Sequence, residues 1–360
     1  MHSVLVAMSG GVDSSVTAYL LKKQGYRCVG ATMLLRGGLC GATGPGEDPL
    51  RDARDAKAVA DRLGIEHRTL DFSRQFEEEV VAEFAHAFER GLTPNPCIEC
   101  NRRVKFGLLL QHALEAGCDY IATGHYARVV EEGGRFRLRR AADPSKDQTY
   151  VLHSLAQEQL ARTLLPLGGL HKDEVRRIAA EQGFENAGKP ESQDICFIPD
   201  GDHVAFLERY RGAAFEPGDI LDEEGRVLGR HRGAAAYTIG QRKGLGVALR
   251  EPVYVCAKDM RANTVTLGPA SSLATAWCRV ERWNWVAPEP NGPVRAAVKT
   301  QYRQREQPAT VVPLPDGSVR VEFDEPQRAV TPGQSAVAYD GEDVVGGGVI
   351  VATDRVPGAR

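Results

Sequence analysis

Long apolar runs are missing from this sequence of 360 residues. Its longest apolar stretches, such as residues 4–8 and 108–110, are far shorter than the roughly 20 residues that a membrane-spanning helix needs. A secretory signal is not expected either, because the short apolar segment at the start leads directly into a glycine-rich turn. These absences predict a chain that stays in the cytoplasm and has no membrane partner.

A strong charge of either sign is also missing. The 45 Lys and Arg residues are balanced by 48 Asp and Glu residues, which leaves a formal net charge of −3. The overall charge therefore does not indicate a nucleic-acid partner. Basic residues do cluster locally, and such clusters are typical of phosphate contacts or, more commonly, of solvated surface charge. They lie at positions 102–105, 135–140, 172–177, 242–243 and 299–305.

The composition is that of a globular protein, with 42% hydrophobic and 26% charged residues, and the length suffices for two or three domains. In a reducing cytoplasm the eight cysteines are expected to be free thiols. The close pair Cys97 and Cys100 indicates redox, catalytic or metal chemistry rather than a structural disulfide. Four cysteines lie in apolar contexts and are expected in the core: Cys28, Cys118, Cys256 and Cys278.

Strands and helices alternate over the first two hundred residues, which predicts an α/β fold with a doubly wound parallel sheet. The predicted strands lie at residues 4–8, 28–33, 66–70 and 120–123. After a first helix that starts near residue 16, the predicted helices lie at residues 51–63, 76–89, 102–116, 171–182 and 203–211. The glycine-rich stretch 36–49 predicts a mobile loop.

The second part of the chain has a different texture. From about residue 218, short β-like runs are separated by turn signals at residues 224–225, 316–317 and 340–341. We predict two smaller β-rich modules here, of which the last is a β-barrel or sandwich. The resulting domain boundaries are 1–203, 204–270 and 271–360.

The run from Ser9 to Ser15, with the sequence SGGVDSS, joins the first strand to the first helix. Its glycines allow backbone N–H groups to converge on phosphate oxygens, and the helix N-terminus adds positive potential. Asp13 is suited to hold a Mg²⁺ ion that bridges phosphates. The run is neither a Walker A motif nor a dinucleotide-binding fingerprint. It resembles the PP-loop of ATP pyrophosphatases, and a simple glycine turn is the alternative.

Two further runs contain cysteines. In Thr93–Asn101, Cys100 stands where a helix is predicted to begin, so we expect the pKa of its thiol to be lowered. Zinc is the competing interpretation, but a helix over residues 102–116 would hold Cys100 and His112 about 18 Å apart. The run 188–198 contains Cys196, which follows a polar loop and is either a core residue or a reactive thiol.

Taken together, these runs resemble the bacterial tRNA 2-thiouridylase (MnmA) family over essentially the whole chain. The family's motifs appear here as SGGVDSS, TPNPCIECN, KFG, YIATGHYAR, KDQTYVL, SQDICFI, TIGQRKGLG, VKTQYRQ and AVTPGQSAV. The resemblance implies that residues 1–203 form a catalytic PP-loop domain with a tRNA-contacting helical part. It also implies a small β-rich module at 204–270 and a tRNA-binding β-barrel at 271–360.

Members of that family use ATP to adenylate O2 of the wobble uridine in tRNAs of the lysine, glutamate and glutamine type. Sulfur then displaces AMP to give 2-thiouridine. The resemblance therefore implies ATP, Mg²⁺, such tRNAs and an upstream sulfur donor, either a cysteine desulfurase or a sulfur-relay protein. It also implies that Cys196 carries a persulfide and that Cys100 releases its sulfur, leaving a Cys100–Cys196 disulfide.

Binding residues are implied by position in the same motifs. The ATP contacts would be Ala7, Met8, Ser9, Gly10, Gly11, Val12, Asp13, Ser14, Met33 and Gly124. The contacts with the flipped base would be Asn95, Pro96 and Cys97. The tRNA contacts would be His125, Lys146, Asp147, Gln148, Gln301, Tyr302 and Gln334.

One position departs from the family pattern, because many members have aspartate where this sequence has Cys97. Cys97 could replace that carboxylate as a general acid or base only if its pKa were shifted. Alternatively, Cys97, Cys100 and Cys196 could ligate an iron–sulfur cluster that supplies the sulfur.

Two other functions compete with thiolation. Another PP-loop synthetase or amidotransferase, such as argininosuccinate synthetase, would not need the two cysteines. A sulfur-carrier or RNA-binding module would not need an intact SGGVDSS run.

Overall fold

The computed structural model describes residues 1–35, 50–189, 195–248 and 250–355. The loop predicted at 36–49, and residues 190–194 of the run that leads to Cys196, lie outside these ranges. The chain divides into two compact units. The first contains Met1–Val81, Cys97–Phe197 and Glu342–Val344, and the second contains Ala82–Pro96, Ile198–Gly341 and the chain from Val345 on.

The α-helices that the structure describes are named in chain order. They are α1 (Val12–Lys23), α2 (Arg51–Leu63), α3 (Ser73–Phe76), α4 (Ala82–Glu89), α5 (Pro96–Glu99), α6 (Leu109–Glu115), α7 (Thr149–Leu152), α8 (Gln157–Ala161), α9 (Lys172–Glu181) and α10 (His203–Arg211). Two π-helical segments, Glu77–Val81 and Cys100–Leu108, lie between them. Within the described ranges, no helix is both long and apolar enough to cross a bilayer.

The strands of the first unit are β1 (Ser3–Ala7), β2 (Arg27–Leu34), β3 (Glu66–Asp71), β4 (Tyr120–Ala122), β5 (Arg128–Glu132), β6 (Arg135–Arg139) and β7 (Thr163–Leu164). Five of them form a parallel sheet in the order β3-β2-β1-β4-β7. The apolar run Val4–Val6 is completely buried, as expected of a strand with helices on both faces. The predicted α/β fold is confirmed.

Helix α2 shows why the surrounding helices form where they do. Its buried residues recur at helical spacing and give the helix one apolar face. They are Ala53, Ala56, Val59, Ala60 and Leu63. The helix ends at Gly64, which adopts a left-handed conformation with φ of 60° and closes the last turn. Its bounds coincide with the predicted helix at 51–63.

The second unit contains β8 (Gly218–Leu221), β9 (Val227–His231), β10 (Tyr254–Asp259), β11 (Thr264–Gly268), β12 (Ala274–Trp285), β13 (Val294–Lys299), β14 (Gln307–Pro313), β15 (Val319–Arg328), β16 (Ser335–Asp340) and β17, which starts at Asp343 and ends at Thr353. Strands β8–β11 form a small sheet in the order β10-β11-β8-β9. The six later strands follow the order β12-β15-β14-β13-β16-β17, and β12 also pairs with β17. This closure makes a six-stranded barrel, so the predicted C-terminal β-barrel is confirmed.

The structure differs from the sequence-based expectation in two predicted helices, and it contains four features that the sequence analysis does not predict: α7, α8, β7 and the hairpin β5–β6. Helices predicted at 76–89 and 102–116 are each a combination of α-helical and π-helical segments. The hairpin β5–β6, which turns at Gly133 and Gly134 with positive φ, was not predicted. Residues 135–140 carry the signal of a basic cluster, and the Gly-Gly pair at the turn is the sequence signal of the hairpin.

Candidate functional site

The glycine-rich run lies at the point where the strand order of the parallel sheet reverses. Strand β1 pairs with β2 on one side and with β4 on the other, so that Val6 stands opposite Gly30 and Ala122. Ligands of such sheets bind beyond the carboxyl ends of the strands at this reversal point. The segments that follow β1 and β4, residues 8–14 and 123–125, both lie there. Met33, near the end of β2, lies at the same edge.

The loop is held in one conformation by short-range contacts. Gly10 has φ of 70°, and a Cβ atom there would come within 2.5 Å of the backbone oxygen of Asp52. The Ser14 hydroxyl donates to the Gly11 carbonyl at 2.9 Å and accepts from the Ser9 N–H at 3.2 Å. Gly11 precedes α1 without a side-chain cap. The first N–H groups of α1 therefore have no capping side chain from this position, and an uncapped helix N-terminus of this kind is suited to binding an anion.

Gly124 brings the segment after β4 against this loop. A Cβ atom at Gly124 would lie 3.0 Å from the carbonyl carbon of Asp13 and 3.0 Å from the nitrogen of Ser14. Only glycine allows this close approach without moving the loop. Next to it, the ring of His125 is buried, and its Nδ1 lies 2.7 Å from the Thr123 hydroxyl. Burial, with a smaller effect from the charge of Lys105, holds the pKa of His125 well below its usual value.

Asp13 is held by two residues that the sequence did not single out for this site. The Lys172 ammonium lies 2.7 and 2.9 Å from its two carboxylate oxygens, and the Tyr126 hydroxyl donates to one of them at 2.8 Å. Both oxygens of the predicted magnesium ligand therefore contact a lysine. As placed, the loop does not by itself form a divalent-cation site.

A buried asparagine, Asn186, forms hydrogen bonds with the loop and with the first turn of α1. The Asn186 amide nitrogen donates to the Gly10 carbonyl at 3.0 Å and to the Ser15 hydroxyl at 2.9 Å. Nearby, the Lys189 ammonium lies 2.8 Å from a carboxylate oxygen of Asp52 and 3.0 Å from one of Asp55. The backbone of the phosphate loop is thus tied to the chain that leads towards Cys196.

The three cysteines of the candidate site are free thiols in different environments. Cys97, in α5, and Cys196 are exposed, whereas Cys100 is buried at the start of the π-helical segment. Burial raises the pKa of Cys100 to about 12, and the neighbouring thiols of Cys196 and Cys97 add to this rise. Lys105 has the opposite effect on both Cys100 and Cys97. The two candidate catalytic thiols therefore lie within electrostatic range of each other.

The expected lowering of the pKa of Cys100 is wrong. The helical turn begins at Pro96, four residues earlier, so Cys100 does not stand at a helix N-terminus. Desolvation then outweighs the attraction of Lys105, which raises the pKa. Desolvation also raises the pKa of Cys97, although this side chain is open to solvent.

Metal binding by the cysteines is not supported by their placement. Within the described ranges, no group of three or more His, Cys, Asp or Glu side chains is arranged to hold a metal ion. Cys97, Cys100 and Cys196 as placed do not form a three-thiolate site. His112, considered above as a zinc ligand, lies edge-on to the Phe72 ring with centroids 6.5 Å apart.

The segment that contains Asn95 and Pro96 is fixed against the barrel within the second unit. The Thr93 N–H donates to the Pro332 carbonyl at 3.0 Å, and the Gln334 amide donates to the Thr93 carbonyl at 2.7 Å. A Cβ atom at Gly333 would come within 2.6 Å of the Thr93 nitrogen. The structure thus brings one predicted tRNA contact, Gln334, beside the predicted base-binding segment.

Gln301 and Tyr302 lie after β13 in the same unit. The Gln301 amide donates to the Ala329 carbonyl at 3.2 Å, and 38% of Tyr302 is exposed. An exposed tyrosine is a suitable surface for stacking with a nucleotide base.

Among the predicted tRNA contacts at 146–148, Asp147 and Gln148 form hydrogen bonds within the protein. The Gln148 side-chain carbonyl accepts from the Tyr126 N–H at 2.8 Å. The Asp147 carboxylate accepts from the Thr149 hydroxyl at 2.7 Å and from the Ala141 N–H at 3.1 Å. Lys146 beside them is half-buried. Gln148 therefore positions the tyrosine that donates to Asp13.

The basic cluster at 135–140 is largely paired within the first unit. Arg137 and Arg139 both form ion pairs with Asp343, at 2.9 and 2.5 Å. Glu132 pairs with the same two arginines. These contacts favour the interpretation of this cluster as solvated surface charge.

Four residues of this site were missed or given another role by the sequence analysis: Lys105, Tyr126, Asn186 and Lys172. Tyr126 stands in the motif YIATGHYAR, and Lys105 stands in the motif KFG and in the basic cluster at 102–105. Lys172 was counted with a surface cluster, although 7% of its side chain is exposed. Asn186 has no sequence signal, because its role depends on the chain folding back onto the loop.

Three family models match the chain. A tRNA methyl transferase HUP domain matches residues 2–200, a tRNA methyl transferase PRC-barrel domain matches 204–269, and an aminomethyltransferase beta-barrel domain matches 275–350. Together they span most of the sequence. Although two of these descriptions name methyl transfer, the curated relatives carry a different activity in their names.

Curated relatives named tRNA-specific 2-thiouridylase MnmA match nearly the full length. The relative from Heliobacterium modesticaldum is 49% identical over 364 residues, covering 97% of this chain and 92% of that protein. The relative from Trichormus variabilis is 47% identical over 355 residues, covering 97% and 99%. The relative from Halothermothrix orenii is 46% identical over 363 residues, covering 97% and 99%.

Among solved structures, a 4-thiouridine synthetase in complex with RNA and bound ATP matches 58% of this chain and 50% of that chain. The TM-score is 0.34 at 16% identity, a level of likeness that carries no argument.

Proposed function

The chain belongs to the family of tRNA-specific 2-thiouridylases, and from this premise we propose how its residues convert a tRNA uridine into 2-thiouridine. The enzyme is a tRNA-uridine 2-sulfurtransferase of the PP-loop superfamily, which uses ATP. We assign the wobble uridine as its target and AMP and diphosphate as its by-products. We also assign the three predicted domains, 1–203, 204–270 and 271–360, whose limits agree closely with the matched family models.

One observation carries the mechanism: the first unit contains both a phosphate loop at the sheet edge and two neighbouring thiols. Adenylation alone would need only the loop, and sulfur carriage alone would need only a thiol. Cys196 acts electrostatically on Cys100, and both stand in the same unit as Asp13. This combination favours an activated base that is then attacked by sulfur.

In the first step the loop binds the phosphates of ATP. The N–H groups of Ser9–Ser14 and the N-terminus of α1 supply the positive potential for this. Ala7, Met8 and Met33 at the strand edge contact the rest of the nucleotide, and Gly124 lets the segment after β4 close against it. Uridine O2 attacks the α-phosphorus, diphosphate leaves, and the N3 proton of the base is released.

In the second step sulfur replaces the adenylated oxygen. Cys196, being exposed, takes up sulfur as a persulfide from a donor. The Cys100 thiolate attacks the Cys196 sulfur atom, and the terminal sulfur leaves as hydrosulfide while a Cys100–Cys196 disulfide forms. Hydrosulfide attacks C2 of the base and AMP leaves. Two electrons from an external thiol then reduce the disulfide for the next cycle.

Magnesium is proposed to arrive with ATP, bound to the phosphates. The contacts of Lys172 with both oxygens of Asp13 argue against a resident magnesium ion held by the loop. The iron–sulfur alternative has no matching ligand arrangement among the described residues, so persulfide transfer is the route we propose. The donor is a cysteine desulfurase or a sulfur-relay protein of the cytoplasm.

The tRNA is proposed to bind with the target base flipped towards Asn95, Pro96 and Cys97. Exposed Tyr302 and neighbouring Gln301 and Gln334 would contact the tRNA from the barrel. His125, Lys146, Asp147 and Gln148 would act from the first unit. The substrates are tRNAs with a wobble uridine, of the lysine, glutamate and glutamine type.

The proposal is tested by the acceptor that stimulates ATP cleavage. Diphosphate release by the full chain should depend on added unmodified tRNA and should not be stimulated by amino acids or citrulline. Stimulation by a small amino acid would favour another PP-loop synthetase. Thiolation that persists in Asp13→Ala would favour a sulfur carrier.

A further inference from the structure

Lys172 combines a buried position with a charge. Only 7% of its side chain is exposed, and it occupies the first position of α9. Its backbone N–H donates to a carboxylate oxygen of Asp143 at 3.1 Å, which anchors the start of the helix. A buried ammonium is costly unless it is paired, so the residue needs a partner of opposite charge.

That partner is Asp13, in the first turn of α1. The Lys172 nitrogen lies 2.7 and 2.9 Å from the two oxygens of the Asp13 carboxylate. It also lies 5.6 Å from the centre of the Tyr126 ring, and the Tyr126 hydroxyl donates to the same carboxylate. Two side chains from two other segments thus fix this ammonium beside the phosphate loop.

Stability alone does not account for this arrangement. A buried ion pair gains little over well-packed apolar residues of the same size, because desolvation offsets the attraction. The other lysine at the loop, Lys189, is engaged by Asp52 and Asp55. Lys172 differs from it in its place: among the described residues, its ammonium is held against a side chain of the first turn of α1, beside the loop that is proposed to bind the phosphate charges of ATP.

We propose that Lys172 is a catalytic residue of the adenylation step: its ammonium contacts the phosphates of ATP that leave as diphosphate. The inference rests on the proposed function and assigns to it a residue outside the PP-loop. Asp13 and Tyr126 act as positioning residues, which hold the ammonium at the loop.

In this step a bond forms between uridine O2 and the α-phosphorus, and the bond from the α-phosphorus to the bridging oxygen breaks. That oxygen leaves with both electrons of the bond, so negative charge grows on the diphosphate. The N3 proton of the uridine passes to solvent. A fixed ammonium at the leaving group stabilises the growing charge more than it stabilises bound ATP, so Lys172 should act mainly on kcat.

The test measures diphosphate release from ATP by the full chain with unmodified tRNA. We compare the wild type with Lys172→Gln, which can still donate to Asp13, and Lys172→Arg, which keeps the charge. Lys57→Met is the matched control, because Lys57 is an exposed lysine of α2 that pairs with Asp61 at 2.8 Å. Sulfur loading of Cys196 from sulfide and oxidant is measured in parallel by mass spectrometry.

Lys172→Gln should lower kcat for diphosphate release by about 100-fold, with little change in the KM for tRNA and normal loading of Cys196. Lys172→Arg should recover much of the rate, and Lys57→Met should behave as the wild type. A Lys172→Gln variant with wild-type kcat would overturn the inference alone. A wild type without tRNA-stimulated release would overturn the proposed function, and the inference with it.

Discussion

Cys196 and Cys100 belong to distant motifs of the sequence, yet in the structure the thiol of Cys196 adds to the rise in the pKa of Cys100 that burial causes. Cys196 is exposed and Cys100 is buried. An exposed thiol is accessible to a sulfur donor, whereas a buried thiol is protected from the solvent. The exposure of Cys196 therefore suits the uptake of sulfur, whereas Cys100 has to lose its proton before it attacks, because burial favours its neutral thiol.

Substitution of either thiol should separate the two chemical steps. Cys100→Ser and Cys196→Ser should abolish formation of 2-thiouridine, because each removes one partner of the thiol exchange. Both should still release diphosphate with tRNA, since the phosphate loop is untouched. Cys118→Ser, which changes a buried cysteine at the opposite end of β4, is the control and should keep thiolation. Loss of diphosphate release in the two site variants would contradict the separation.

The order in which the cysteines react with iodoacetamide should follow their exposure and pKa. Cys97 and Cys196 should be alkylated first at pH 7.5, and Cys100 much later, because burial raises its pKa to about 12. Below that pKa the thiolate fraction of Cys100 increases about tenfold for each pH unit, so its alkylation rate should rise steadily from pH 7 to 9. Peptide mass spectrometry measures the rates. A Cys100 that reacts as fast as Cys196, with no dependence on pH, would show that the thiol is already ionised.

Gly124→Ala should damage the use of ATP. The added methyl group would lie 3.0 Å from backbone atoms of Asp13 and Ser14, so the loop would have to shift. Because the shift needed is a few tenths of an ångström, we expect kcat/KM for ATP to fall by about tenfold. Gly169→Ala is the control, because a Cβ atom there meets nothing within 4 Å. Equal kinetics for both variants would contradict the close approach at Gly124.

Gly333→Ala should weaken the action on tRNA rather than on ATP. Gly333 has φ of 94°, and a Cβ atom would come within 2.6 Å of the Thr93 nitrogen, in the segment that leads to Asn95. We expect the KM for tRNA to rise about tenfold or more as this segment moves. Gly317→Ala is the control for backbone strain without a steric contact. Gly317 has φ of 79°, but a Cβ atom there would meet nothing within 4 Å. If the control raises the KM equally, backbone strain alone explains the effect.

Much of the fold could be predicted because local patterns and the final structure agree. Helix α2 has a complete apolar face and a closing glycine, and α10 begins after Asp202, whose carboxylate accepts from two N–H groups of the first turn. The turns at Gly225, Gly317 and Gly341 all have positive φ, as their sequence signals predicted. Positions of this kind depend on residues only a few places away.

The rest of the site depends on residues that meet only after folding. No local signal shows that Lys172 reaches Asp13 or that Asn186 reaches the Gly10 carbonyl. The pKa of Cys100 was predicted with the wrong sign, because the start of the helix was placed four residues too late and burial could not be seen. Burial and long-range pairing are properties of the tertiary structure.

The central claim is that this chain uses ATP to place sulfur at position 2 of a tRNA uridine. The most direct measurement is nucleoside mass spectrometry of unmodified tRNA after incubation with the enzyme, ATP, Mg²⁺, a thiol and a persulfide-forming sulfur source. We predict 2-thiouridine at the wobble position with the wild type, and none without ATP or with Asp13→Ala. Uridine that stays unmodified at the wobble position, or 2-thiouridine formed equally well without ATP, would contradict the account.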